Sequence, residues 1–182
     1  RLHKNREFQI FDKEITKRWN GKDDLTNKTI LILAEQGLGD TIQFARFVKL
    51  FNHKKTKVIL KVQDCMKDLI STICNNTSVI GFNEKVESFD YQIPLLSIPY
   101  HFKMTYLTIP FTDKYLNARE DLVKYWKRKI GSSGFKIGIA WQGSDTDADR
   151  FRSFKPREFE ILSSLKNIRL ISLQKNSELE NF

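Results

Sequence analysis

Cysteine is scarce: Cys65 and Cys74 are the only two in 182 residues. They form no CxxC pair and have no histidine beside them. A disulfide-built scaffold is therefore not expected: both read as reduced core thiols on a helix in a cytosolic protein, with a disulfide or metal site as the alternative. The histidines His3, His53 and His101 are scattered and sit near no pair of acids, so no metal site is expected. No stretch approaches the about 20 apolar residues of a membrane span. The basic start RLHKNREFQIF lacks the apolar core of a signal peptide, which points to a cytoplasmic location. An initiator Met is missing too, so the chain is expected to be a fragment of a longer protein. Internal repeats and low-complexity tracts are absent. Apolar residues, by contrast, make up 40% of the chain and include 14 Phe, enough for a packed core and too much for a disordered tail.

The formal net charge is +9. A nucleic-acid reader gathers its cations into a patch interleaved with stacking aromatics. Here Lys54, Lys55, Lys57, Lys61, Lys67, Lys124, Lys127 and Lys129 are dispersed, and most aromatics lie inside apolar patterns. Nucleic acid is not expected as a partner. The charge suits phosphorylated small molecules, anionic glycans or the surface of an anionic membrane.

Residues 1–20 read as a polar tail or the end of a preceding domain. KTILILA (Lys28–Ala34) is a continuous aliphatic run, the pattern of a strand buried on both faces. A helical pattern follows through Ile42, Ala45, Val48 and Leu50, with Asp40 or Thr41 placed to cap it. KVILKV (Lys57–Val62) predicts a second strand. Asp64–Cys74 predicts a second helix capped by Asp64. SVIGF (Ser78–Phe82) and FDYQIP (Phe89–Pro94) predict a third and a fourth strand. Short connections between alternating elements imply a Rossmann-like, doubly wound parallel sheet over residues 21–131. IPLLSIP (Ile93–Pro99) reads as packing on the floor of its crevice. A helix over Leu116–Ile130 puts Leu122, Tyr125, Trp126 and Ile130 on one face, with Gly131 closing it in the left-handed conformation. KIGIAW (Lys136–Trp141), a helix from Pro156 to Ser164, and IRLISLQ (Ile168–Gln174) then restart the pattern. Two strands and a helix cannot bury a full sheet core, so residues 132–182 are expected either to pack on the first domain or to be the incomplete beginning of a second Rossmann-like domain.

Two segments carry chemistry. EQGLGD (Glu35–Asp40) leaves the first strand and opens a helix, where free N–H groups and the positive helix end favour anions. Gly37 and Gly39 leave room for a ligand, and Asp40 is a candidate general base. Equally, Asp40 can be a plain helix cap and Glu35 a solvated side chain. A dinucleotide fingerprint needs a third glycine where Ile42 stands, although Asp64 lies where a ribose-binding acid would. WQGSDTDADRFRS (Trp141–Ser153) again follows a strand. Gly143, Ser144 and Thr146 as small donors with Arg150 and Arg152 as cations suit a phosphate or diphosphate, while Asp145, Asp147 and Asp149 oppose it. The EF-hand order is not met, so calcium is set aside. A solvated surface loop is the competing account.

Taken together, W-x-G at Trp19, KTILILAEQGLGDTIQFARF, FDYQIPLLSIPYHF, TIPFTDKYL, KIGIAWQGS…RFRSF and ISLQK resemble the glycosyltransferase region that follows tetratricopeptide repeats in many bacterial proteins. That region is similar to family 9, the heptosyltransferase-like group of GT-B architecture. The likeness runs from about Trp19 to Lys175. It implies an acceptor domain first and a nucleotide-sugar donor domain second, with the donor as substrate and no cofactor or metal. It implies inverting transfer to a glycan or protein acceptor, with Asp40 as catalytic base. Glu35, Gln36, Gly37, Gly39 and Gln43 would contact substrate, and Gly143, Ser144, Arg150, Arg152 and Ser153 the donor diphosphate. It also implies repeats upstream and a nucleotide-binding segment downstream. The alternatives are a non-catalytic interaction module of a repeat protein and an NAD-type nucleotide-binding domain.

Overall fold

The computed structural model describes residues 18–51, 55–73, 76–109, 114–143 and 153–174. The chain divides into two compact units between Val123 and Lys124.

The first unit is built on four parallel strands: β1 (Thr29–Leu33), β2 (Lys57–Val62), β3 (Thr77–Gly81) and β4 (Tyr91–Pro94). Their order is β3-β2-β1-β4, with Ile30 opposite both Val58 and Tyr91. This is an α/β sheet of the Rossmann-like kind. Its order reverses between β1 and β4, where the chain leaves one side of β1 and returns on the other. KTILILA behaves as a central strand must: Ile30, Leu31, Ile32 and Leu33 are all buried, alternating between the two faces.

The faces are covered differently. On one, Ile30, Ile32, Leu60, Val62 and Ile93 pack against α1 (Leu38–Ala45), the 3₁₀ helix Arg46–Phe51, the short α2 (Lys67–Ile70) and α3 (Ile98–His101). On the other, Leu31, Leu33 and Ile59 meet Ile80 of β3 and Val86 and Phe89 from the β3–β4 connection. Double winding with helices on both faces is thus not seen among the described residues. The connection that crosses the second face, residues 82–90, is too short to hold a packed helix and crosses as a strap.

Trp19 belongs to this unit rather than to a tail. Its N–H donates to the Gln92 carbonyl at 2.9 Å, beside a bridge between Arg18 and Gln92 at the outer edge of β4. Its ring packs against Phe51 and Phe102 at centroid distances of 5.4 and 5.7 Å. The helix expected from Asp64 breaks into a 3₁₀ turn, Asp64–Met66, and the single turn of α2. Met66 turns inward and Cys65 is exposed, so Cys65 is not a core thiol; Cys74 lies outside the described residues.

The helix expected from Leu116 starts at Glu120, as α4 (Glu120–Ile130). Before it, Tyr115 and Leu116 pack on the core of the first unit, the Asn117 N–H donates to Thr72 Oγ1 at 3.0 Å, and Arg119 pairs with Asp68 at 3.2 Å. These ties hold the segment extended against unit one. Leu122, Tyr125 and Trp126 remain about half exposed.

The second unit pairs β5 (Phe135–Ile139) with β6 (Ile168–Ser172) in parallel, linked through the 3₁₀ turn Pro156–Phe159 and the short α5 (Glu160–Ser163). Gly131 takes φ +76°, the left-handed closure expected after α4. Arg169 completes that cap by donating from Nη1 to the Ile130 carbonyl at 2.8 Å, a cation at the negative helix end.

Candidate functional site

The glycine turn lies where β1 ends, beside the point at which the strand order reverses. In open α/β sheets this is where ligands settle, outside the carboxyl ends of the strands. Helix α1 begins at Leu38 with Gly37 as N-cap, earlier than an Asp40 or Thr41 cap would place it. Glycine brings no side chain to cap with. Instead Asp40, in the first turn, accepts the Gly37 N–H at 3.1 Å, the reciprocal half of a capping box. Asp40 is therefore both a half-buried cap and a carboxylate at the positive end of α1.

Three strand exits are stitched together around this turn. From β1, Glu35 reaches to the exit of β4, where its Oε2 accepts the Leu95 N–H at 3.0 Å and its Oε1 the Leu96 N–H at 3.2 Å. From β2, Gln63 donates through Nε2 to the Gln36 carbonyl at 2.8 Å and accepts from the Thr41 hydroxyl at 3.0 Å. The sequence does not single out Gln63, and it marks the buried Thr41 only as a candidate cap. The available signal was position: a polar residue directly after a buried strand lies on the same sheet edge as the glycine turn.

Burial around Glu35 outweighs its two N–H partners, and the nearby Asp40 charge adds to it, so the carboxyl is pushed up to about 7. Glu35 is thus no solvated side chain. The native chain holds this proton more tightly than an unfolded one, whose ordinary value is 4.5. Stability from this group is present below about pH 4.5 and is lost as pH rises through 7. The expected result is a falling chemical-denaturation free energy across that window in the wild type, relative to Glu35→Gln. Parallel curves would refute the assignment.

Gly39 has open space around it: a Cβ built there meets no atom within 4 Å. Gln36 is exposed beside it. One turn along α1, Gln43 lines a cavity of about 390 Å³ together with Phe44, Arg46, Met104 and Tyr106. Arg46 is held there by stacking 4.6 Å above the Tyr115 ring and donating to its hydroxyl at 3.3 Å. Asp40, Gln43 and Phe44 share a face at helical spacing.

Asp64, the position of a ribose-binding acid, is engaged otherwise. Its carboxylate accepts the Asn83 side-chain amide at 2.6 Å, tying β2 to the turn after β3. It also crowds Gly81, where a Cβ would overlap the carboxylate, so glycine is required there by close approach. Neither use leaves the side chain arranged for a ribose.

In the second unit Gly143 and Ser153 are brought together: the Gly143 N–H donates to Ser153 Oγ at 3.3 Å, and the Phe154 N–H to the Trp141 carbonyl at 3.0 Å. Gln174, also missed from sequence, accepts the Trp141 and Gln142 N–H groups, each at 3.1 Å. The neck of the loop after β5 is therefore closed. Ser144, Arg150 and Arg152 lie outside the described residues. Among the described residues no three His, Cys, Asp or Glu side chains gather as metal donors, and no helix is long and apolar enough to cross a membrane.

The chain is 26% identical over 160 residues to Protein FlbA of Caulobacter vibrioides, a match that covers 76% of this chain. That match takes in 26% of the relative, so the chain spans about a quarter of its length. No family model and no solved structure matches.

Proposed function

We propose that this chain is the acceptor domain, with the first strands of the donor domain, of a metal-independent inverting glycosyltransferase of GT-B architecture, in a protein that also carries tetratricopeptide repeats. The observation that carries the reading is the placement of Asp40: a carboxylate on the first turn of the helix leaving β1, at the strand-order reversal, next to a glycine with open space before it. Asp40 takes the proton of an acceptor hydroxyl. The acceptor oxygen bonds to the anomeric carbon as the carbon–oxygen bond to phosphate breaks, and nucleoside diphosphate leaves with that electron pair. Gly143, Ser153 and the arginines of the same loop are assigned to the donor diphosphate. The cavity beside Gln43 is assigned to the acceptor.

The test incubates the intact protein with a panel of nucleotide sugars and candidate acceptors, with and without chelator, and reads the anomeric configuration of the product by proton NMR. Inverted product that forms in chelator supports the reading. Retained configuration, or strict dependence on a divalent cation, overturns it.

A finer test uses Gly39. Alanine in the first turn of α1 meets no protein atom and removes glycine's entropic cost, so Gly39→Ala is expected to raise stability by up to about 1 kcal/mol. If substrate occupies the open space, the same methyl group lowers kcat/KM at least tenfold. A stabilised protein with unchanged kcat/KM would show that no ligand approaches the backbone there.

A further inference from the structure

The carboxylate of Glu35 is an odd group to place where it stands. It belongs to the residue just before the glycine turn, yet both its oxygens are directed across the strand-order reversal to two consecutive backbone N–H groups, those of Leu95 and Leu96. Those donors open the 3₁₀ turn Leu95–Ser97, which follows Pro94 and leads into α3. They have no partners within that first turn, so an acceptor must come from outside it. Leu95 and Ile98 are buried on the helix-covered face, so the turn itself is anchored. Beyond the last ladder pair, Leu33 opposite Pro94, the exits of β1 and β4 are thus joined by this side chain.

We propose that Glu35 is a positioning residue: by accepting the Leu95 and Leu96 N–H groups it locks the exit of β4 to the turn that carries Asp40, and so sets where an acceptor lies against that base. The proposal rests on the role given to Asp40 above. The clamp needs both oxygens as good acceptors, a condition the ionised carboxylate meets and the protonated acid, whose hydroxyl oxygen is a poor acceptor, does not. A protonated acid turns one oxygen into a donor facing an N–H. The groups that face it are few. Asp40 on α1 is the charge that acts on it, the β4 side presents the two N–H donors, and β2 contributes the neutral Gln63 through Gln36. Burial and the Asp40 charge bring the proton equilibrium near neutrality, so the lock opens within an ordinary pH range.

The test uses the full chain labelled with ¹⁵N-leucine. In the wild type the Leu95 and Leu96 amide resonances are expected to move together, with one midpoint near neutral pH, and in Glu35→Gln to stay flat over that range. Steady-state transfer is then measured across the same range. Glu35→Gln is expected to lower kcat ten- to a hundredfold, the scale of a misplacement of about 1 Å, and to lose the acid limb present in the wild type. Wild-type amides that do not titrate overturn the clamp, and that measurement stands even where the variant fails to fold. Titrating amides with an unchanged kcat profile in Glu35→Gln overturn the positioning role. Absence of transfer with every donor sinks the glycosyltransferase reading instead, while the amide titration still decides the clamp.

Discussion

Replacing Asp40 by Asn in the intact protein is expected to lower turnover at least a hundredfold while leaving the fold in place. The two parts of that expectation come from different features of the same side chain. As a base, the carboxylate is worth about 10²–10⁴ in rate, so a hundredfold loss corresponds to about 2.7 kcal/mol of barrier. An amide cannot take the proton. As a cap, it accepts the Gly37 N–H at 3.1 Å, and the Asn carbonyl oxygen can do the same. What Asn loses structurally is a negative charge at the start of α1, worth about 0.3–1 kcal/mol. Turnover and stability therefore separate: a large kinetic loss beside a small shift in the denaturation midpoint. Asp40→Ala removes the acceptor as well, and adds about 1 kcal/mol of destabilisation. The measurement is initial rate at saturating donor and acceptor, paired with urea unfolding of each variant. Near-wild-type turnover in Asp40→Asn would leave Asp40 as a cap and nothing more.

Which parts of this site were legible in sequence follows from the range of the interactions that made them. The strand KTILILA needed no partner to be recognised, because burial on both faces demands an unbroken aliphatic run. The glycine turn was legible for the same local reason. The helix after it was expected as one element and is two, α1 and a 3₁₀ stretch, because Phe47, Val48 and Phe51 satisfy the core at a spacing both geometries allow. The Asp64 cap failed for a longer-range reason. Asn83, nineteen residues on, competes for its carboxylate, and no local pattern announces that. Glu35 is expected among substrate contacts, and the structure adds partners that no local pattern announces: two amides about sixty residues away, in a burial that outweighs them. The parts hidden from sequence are those where a polar side chain leaves its own element to satisfy another's backbone.

That division also bears on how the first unit is held. The helix-covered face of the sheet is continuous with the aromatic cluster of Trp19, Phe51 and Phe102, whereas among the described residues the opposite face is covered by Val86 and Phe89, which pack beside Ile80 of β3. Stability is therefore concentrated on the face that also carries α1, behind the turn that presents Asp40. A loss in that cluster should be felt by the whole unit.

Trp19 is where this can be measured. Its side chain is 5% exposed. Its indole N–H donates to the Asp23 carbonyl at 3.0 Å, and its ring completes a triad in which Phe51 and Phe102 meet edge to face at 5.3 Å. Trp19→Ala removes the largest residue of that cluster and leaves Phe51 and Phe102 facing a void, since two aromatic rings anchored at the ends of separate helices collapse poorly into a vacated site. The expected cost is about 3–5 kcal/mol, a large share of the stability of a domain of this size. Trp19→Phe keeps a ring against Phe51 but gives up the Asp23 bond and part of the volume, and should cost about 1–2 kcal/mol, between the two extremes. Urea unfolding followed by far-ultraviolet circular dichroism gives both values without relying on the fluorescence of the residue being changed. If residues 1–20 were a tail, alanine at this position would cost no more than a surface substitution, about 0.5 kcal/mol. A value that small would detach Trp19 from the core. A value in the larger range makes Trp19 a core residue of the unit, held by the aromatic cluster and the edge of β4.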